Sequence, residues 1–237
     1  MLKKTTLTLL LLASGIAFTN AQTNVVFPRN STWKYLDDGS DQNTAWQAPS
    51  FNDASWASGA AELGYGDGGE ATVLSYGPSS SGKYTTTYFR TTFNLTALPS
   101  ASEQVILSLK RDDGAVVYIN GTEVYRVNMP GGIINYNTWA NSTVGGGDES
   151  TFFDNVLNNH NLQVGSNSIA VEIHQDAGTS SDISFDFELS FKTLTPAVEC
   201  DSALDSLHIS RFVSVMPSTQ PDSLRIPSTH VFQMLVQ

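Results

Sequence analysis

Apolar residues recur with a period of two through nearly every hydrophobic segment between Gln22 and Leu194, a spacing that commits the chain to β-structure. In Phe185 to Phe191, the apolar Phe185, Phe187, Leu189 and Phe191 alternate with Asp186, Glu188 and Ser190. Ile169, Val171 and Ile173 alternate with Ala170, Glu172 and His174, and Val105, Leu107 and Leu109 with Ser108 and Lys110. Phe89, Phe93 and Leu95 share a face opposite Arg90 and Asn94. This pattern predicts half-buried antiparallel strands. The sharpest local signal is Val116 to Ile119, then Asn120-Gly121, then Thr122 to Tyr125, because Asn-Gly accepts the two positive φ angles of a type I′ hairpin turn. No window carries a long helical period, and only Phe152 to Leu157 reads as a short turn of helix. The expected fold class is all-β, an antiparallel β-sandwich.

The two ends of the chain read differently. Lys3 and Lys4 precede a short apolar stretch, Leu7 to Phe18, and Thr19-Asn20-Ala21 ends in a small residue, the pattern of a signal peptide cleaved after Ala21. That stretch falls short of the roughly 20 residues a membrane helix needs, so no membrane span is expected, and the mature protein is placed outside the cell, secreted or at the surface. After Thr195-Pro196 the alternation stops. Residues 22–195 are therefore assigned to the sandwich. Residues 196–237 read as a linker and the start of a truncated downstream domain, with short apolar pieces at Phe212 to Met216 and Val231 to Val236. Cys200 is the only cysteine, which excludes an intramolecular disulfide and Cys-rich zinc sites. Twelve Lys plus Arg against 23 Asp plus Glu give a net charge of -11, which argues against a nucleic-acid partner.

Between the strands lie Gly-, Ser- and Asn-rich segments, Gly64 to Gly69, Tyr76 to Lys83, Met129 to Gly147 and Gln175 to Asp182, long enough to carry function. They hold aromatic and acidic residues together. Aromatic rings offer apolar faces to the C–H faces of sugars. Of the four tryptophans, Trp33 and Trp56 sit in strand-like segments and are assigned to the core. Trp46 and Trp139 lie in loop-like surroundings and, with Tyr65, are the ligand-binding candidates. Asp112 and Asp113 are candidate calcium ligands, since a hard cation takes carboxylate oxygens gathered with loop carbonyls; the plainer alternative is that one of them caps the turn at Gly114. Asp67, Asp148 and Glu149 are further acids placed to assist a cation or simply to face solvent.

The stretches Thr32 to Gly68, Thr86 to Leu95, Arg111 to Arg126, Asn167 to Gln175 and Ser180 to Phe191 together resemble a galactose-binding-like jelly-roll domain, an accessory unit of large secreted bacterial proteins. Phe51-Asn52-Asp53-Ala54-Ser55-Trp56 and Tyr118-Ile119-Asn120-Gly121 are similar to the N-terminal sugar-binding domain of β-galactosidase-class glycoside hydrolases. In that class the catalytic carboxylates sit in another domain. Asp112-Asp113-Gly114 before the hairpin also resembles protective-antigen-type lectin domains, whose paired aspartates hold calcium. The resemblance implies that the strand ending at His174 lies beside the strand starting near Gly114, so that His174 approaches Asp112, Asp113 or Asp182 and joins the ligand-binding candidates with Asp182; the commoner alternative is a lone histidine held by an acid for structural reasons.

Catalytic signatures do not assemble. The sequence has no G-x-S-x-G elbow, H-E-x-x-H or P-loop, and His160, His174, His208 and His230 are scattered without metal-ligand spacing. Gly64 to Gly69 formally matches G-x-G-x-x-G, but no helix follows to receive a phosphate. The expected function is that of a noncatalytic secreted module that binds a glycan or polysaccharide, with calcium as a structural ion, beside a neighbouring domain of a longer chain. The alternatives are a purely structural spacer, or the N-terminal fragment of a secreted phosphatase-type hydrolase, to whose entry Arg225 to His230 bears a faint likeness.

Overall fold

The computed structural model describes residues 22–194. The signal peptide expected before Gln22, Cys200 and the apolar pieces of the tail lie outside these residues. Twelve strands run in chain order: β1 Thr23–Phe27, β2 Thr32–Leu36, β3 Ala57–Ala60, β4 Leu63–Tyr65, β5 Thr72–Val73, β6 Thr86–Leu95, β7 Glu103–Asp112, β8 Gly114–Ile119, β9 Thr122–Val127, β10 Phe153–Val156, β11 Gly165–His174 and β12 Ile183–Thr193. They form two six-stranded sheets. One is ordered β10-β7-β12-β4-β5 with β1 also on β12, and the other β3-β2-β6-β11-β8-β9. Pairing is antiparallel except for β4 with β5. Most connections cross from one sheet to the other, so the chain wraps a single core, and the all-β sandwich is the observed architecture.

The alternating residues fill that core as their phase requires. Ile169, Val171 and Ile173 from β11 meet Phe185, Phe187 and Leu189 from β12, with Trp33 packed edge-on against Phe27, Phe185 and Phe187. Phe89 stacks on Phe185 at a centroid distance of 4.2 Å. At the β8–β9 hairpin Asn120 and Gly121 take φ of 51° and 79°, the two positive angles a type I′ turn demands. The Asn120 side chain also bonds the Asn161 carbonyl, Asn167 Oδ1 and the Ser168 amide, tying the turn to the segment that enters β11.

Three expectations are corrected. Phe152 to Leu157 forms no helical turn; Phe153–Val156 is strand β10, paired with β7, because the edge of β7 is open there for a ladder. Gly64 to Gly69 is not wholly a loop, since its first residues end β4. The middle of the sheet containing β11, in β8, β11 and the first half of β6, is also buried on both faces rather than half-buried. A second apolar layer, Trp46, Trp56, Met129 and Ala140, lies over Tyr88, Val116, Tyr118 and Ala170 on the outer face of that sheet.

That outer layer is anchored by a buried cation. Arg90 bonds Asp53 through Nε at 2.9 Å, the Trp46 carbonyl through one terminal nitrogen and the Ala48 carbonyl through the other at 3.2 Å, while its guanidinium lies over Phe51. All three bonds hold the loop between β2 and β3 against the sheet. A guanidinium desolvated this fully needs such a set of acceptors.

Candidate functional site

The chain leaves β7 at Asp112 and enters β8 at Gly114, changing sheets within that corner. The two aspartates have opposite fates. Asp113 is buried and saturated: Oδ1 accepts from the Val144 amide at 2.7 Å, and Oδ2 from the Asp176 amide at 2.8 Å and Ser180 Oγ at 3.3 Å. It clips the loops after β9 and after β11 to the corner, which is the capping role enlarged to two distant loops. Asp112 is 1% exposed, and neither of its carboxylate oxygens has a hydrogen-bond partner. Burial first, then the neighbouring carboxyls of Asp113, Asp182 and Glu149, pushes its pKa up to about 10.

Beside this corner Gln175, the residue after β11, donates its side-chain amide to the Tyr65 hydroxyl at 2.6 Å and to the Asp182 carbonyl at 2.9 Å. Its own carbonyl oxygen, Oε1, is buried without a partner. Desolvation raises the Tyr65 phenol, and the charges of Asp182, Asp112 and Asp113 add to the effect. Asp67 and Glu149 stand above, each offering an oxygen within 4.8 Å of the other and of an Asp182 oxygen. Asp67 is raised by desolvation and by Asp182, and Glu149 by desolvation, Asp182 and Asp67. Ser184 Oγ donates to Asp67 Oδ2 at 2.9 Å. Among the described residues no salt bridge neutralises Asp67, Asp112, Asp113, Glu149 or Asp182. An acidic, metal-compatible cluster is thus in place at one end of the sandwich.

The aromatic candidates separate by accessibility. Trp139 is 41% exposed, alone among the four tryptophans, and its neighbour Ala140 donates its amide to the Gln175 carbonyl, which sets the Trp139 loop beside the acidic end. Trp46 is fully buried against Tyr88 and Tyr118 and offers no free ring face, because Arg90 fastens its loop over the sheet. Tyr65 is likewise buried, with Tyr76 edge-on at 5.5 Å and the Lys83 amine 5.2 Å from its ring, so it supplies a hydroxyl to the network and no sugar platform.

His174 lies opposite Gly114 as expected, yet its ring does not join the acids. Nδ1 is 2.7 Å from the Thr138 carbonyl and 3.0 Å from Thr86 Oγ1. A carbonyl only accepts, so Nδ1 carries the proton. Nε2 stands 3.3 Å from Glu172 Oε2. In an antiparallel strand the residue in phase with Ile173 faces the core and His174 faces the opposite way, under the Trp139 loop, where it braces that loop. Asp182 is buried within the acidic cluster.

Gln175 is the residue that sequence reasoning passed over. Its signal was available: it falls in phase with Ile169, Val171 and Ile173, and an amide at a core-facing position requires polar partners.

No protein-family model matches the chain, and no curated protein matches it. Solved structures do. A β-glycosidase from Bacteroides vulgatus aligns at 18% identity over 71% of this chain and 20% of that one, with a TM-score of 0.44. A β-glucuronidase from Bacteroides uniformis aligns at 19% identity over 73% and 18%, with a TM-score of 0.46. A β-glucuronidase from Bifidobacterium dentium aligns at 16% identity over 67% and 21%, with a TM-score of 0.40. The chain spans about a fifth of the length of these proteins. Among the described residues no helix is long and apolar enough to cross a membrane.

Proposed function

We propose that residues 22–195 form a noncatalytic accessory module of an exported protein, one that binds a glycan at its acidic loop end beside a neighbouring domain of a longer chain. The observation that carries this reading is the exposed indole of Trp139, held by the Ala140–Gln175 backbone bond at the same end as the unneutralised carboxylates. A sugar needs one apolar face to stack on and a few fixed polar groups around it. Trp139 offers the face, and Asn135 and Thr138, bonded to each other in the same loop, with Asp176, the residue after Gln175, offer polar groups. Calcium is the expected structural ion, because oxygen-only donors favour a hard cation.

Affinity electrophoresis of the purified chain through a panel of polysaccharides, with calcium and with chelator, tests the reading. Retardation by one glycan that disappears in Trp139→Ala is the expected result. Unretarded migration through the whole panel in saturating calcium would leave the module as a spacer.

A further inference from the structure

We propose that Asp67, Glu149 and Asp182, together with the buried carboxyl of Asp112, form a binding site for a divalent cation of the calcium class. The site differs from the Asp112–Asp113 pair expected from sequence. Asp113 spends both its oxygens on the amides of Val144 and Asp176 and the hydroxyl of Ser180. The three upper residues come from separate segments: Asp67 follows β4, Glu149 lies in the 3-10 turn Gly146–Ser150 and Asp182 precedes β12. Their oxygens lie within 4.8 Å of one another, a spread that ligands at about 2.3–2.6 Å from one calcium ion can share.

Proximity of acids alone would be a solvated patch. The independent observation is Asp112, which is 1% exposed and has no hydrogen-bond donor on either oxygen. Gln175 Oε1, on the side chain that grips the Asp182 carbonyl, is a second buried acceptor without a partner. A folded protein leaves few buried acceptors unsatisfied, and Asp112 lies directly opposite Ser184, whose hydroxyl bonds Asp67, so its carboxyl shares the sheet face that carries the cluster. A proton on Asp112 would serve one of its oxygens and leave the other bare, whereas a cation can draw on both. The Lys83 amine bonds the carbonyls of Ser180 and Ser181, next to Asp182 in the chain, and is in no salt bridge among the described residues. Oxygen donors with no nitrogen or sulfur select calcium or magnesium over zinc.

This inference rests on the calcium part of the proposed function and not on its glycan part, and its test uses metal alone. The full chain is titrated with terbium, a calcium surrogate whose luminescence is sensitised by nearby aromatic rings such as Tyr65, and then with competing calcium. Saturable luminescence displaced by calcium is expected, weakened about 10-fold or more in Asp67→Asn, Glu149→Gln and Asp112→Asn. Asp67 is exposed and Glu149 half-exposed, so those two variants fold without the ion, and unfolding in chelator checks this. Asp148→Asn, on the exposed acid next to Glu149, leaves the affinity unchanged. Absence of saturable luminescence in the parent overturns the site, and so does an equal loss in Asp148→Asn. Because the glycan panel is run in saturating calcium, a metal that binds with no glycan retarded defeats only the module's ligand. A glycan retarded equally in chelator, with no metal bound, defeats only the site.

Discussion

Gln175 and Tyr65 meet across the seam of the sandwich: the amide at the end of β11 in one sheet donates at 2.6 Å to the phenol at the end of β4 in the other. The bond is buried and shared with the Asp182 carbonyl, so it fixes the spacing of the two sheets at the end where the acids gather. Tyr65→Phe leaves the ring in place and removes one partner of the amide. Equilibrium denaturation should show a loss of about 1 kcal/mol, the usual net value of a buried neutral hydrogen bond.

Arg90 is a larger dependency. In Arg90→Met the side chain keeps most of its apolar volume, but Asp53 and the carbonyls of Trp46 and Ala48 lose their donor. The Asp53 charge left behind is 28% exposed and partly solvated, so the expected cost is about 2 kcal/mol, in the range of hydrogen bonds to a charged group. Because the lost bonds hold the Trp46 loop, the variant should show red-shifted tryptophan emission and protease cleavage between residues 44 and 56 before global unfolding. Unchanged emission would mean that the loop is held by its aromatic packing alone.

The hairpin turn supplies a third prediction. Asn120→Ala removes three side-chain bonds and places alanine at φ 51°. The expected destabilisation is about 2 kcal/mol by denaturant titration, from the lost bonds together with the strained backbone. Asn120→Gly relieves the backbone and not the bonds, and should fall between the two.

Trp139→Ala, by contrast, should cost no more than about 0.5 kcal/mol, as surface substitutions do, while abolishing retardation by the glycan that the parent binds. A large stability loss would show that the indole is structural.

Stability should also depend on pH through Asp186. Its carboxyl accepts from the Asn30 and Phe187 amides, but burial outweighs these bonds and holds its pKa above the ordinary carboxylate range. A carboxyl with a raised folded pKa contributes stability fully below its unfolded value near 4, and that contribution is lost as pH rises through the folded value. Asp186→Asn keeps the acceptor oxygen and removes the charge. Its stability gain over the parent should therefore be largest near neutrality and vanish as pH falls towards 4; a gain constant with pH would refute the assignment.

The strands and the inner core were legible because a period of two in sequence becomes one face in space. Phe185, Phe187 and Leu189 point where their spacing says they must. The outer layer was not legible. Nothing local to Ala170, Glu172 or His174 tells that loops from residues 37–56 and 128–143 fold back over them, and the charge on Arg90 read as a solvent face when it was an anchor. The same blindness explains the site. Trp46 and Trp139 share a loop-like context, and only a long-range bond, Arg90 to the Trp46 carbonyl, buries one of them. The aspartate pair at the β7–β8 corner was visible as a pair; which of the two would be satisfied depended on the amides of Val144 and Asp176, far along the chain.

The pairing of β1 with β12 sets Thr23 opposite Lys192 and Phe27 opposite Leu189, so the first and last strands of the sandwich run side by side in opposite directions, with their outer ends together. Tension applied between residues 22 and 194 therefore pulls at one end of that ladder and opens its bonds one after another, instead of loading them all in parallel. Under mechanical load the β1–β12 ladder gives way like a zipper, and the core between the sheets feels the force only after β1 has peeled off.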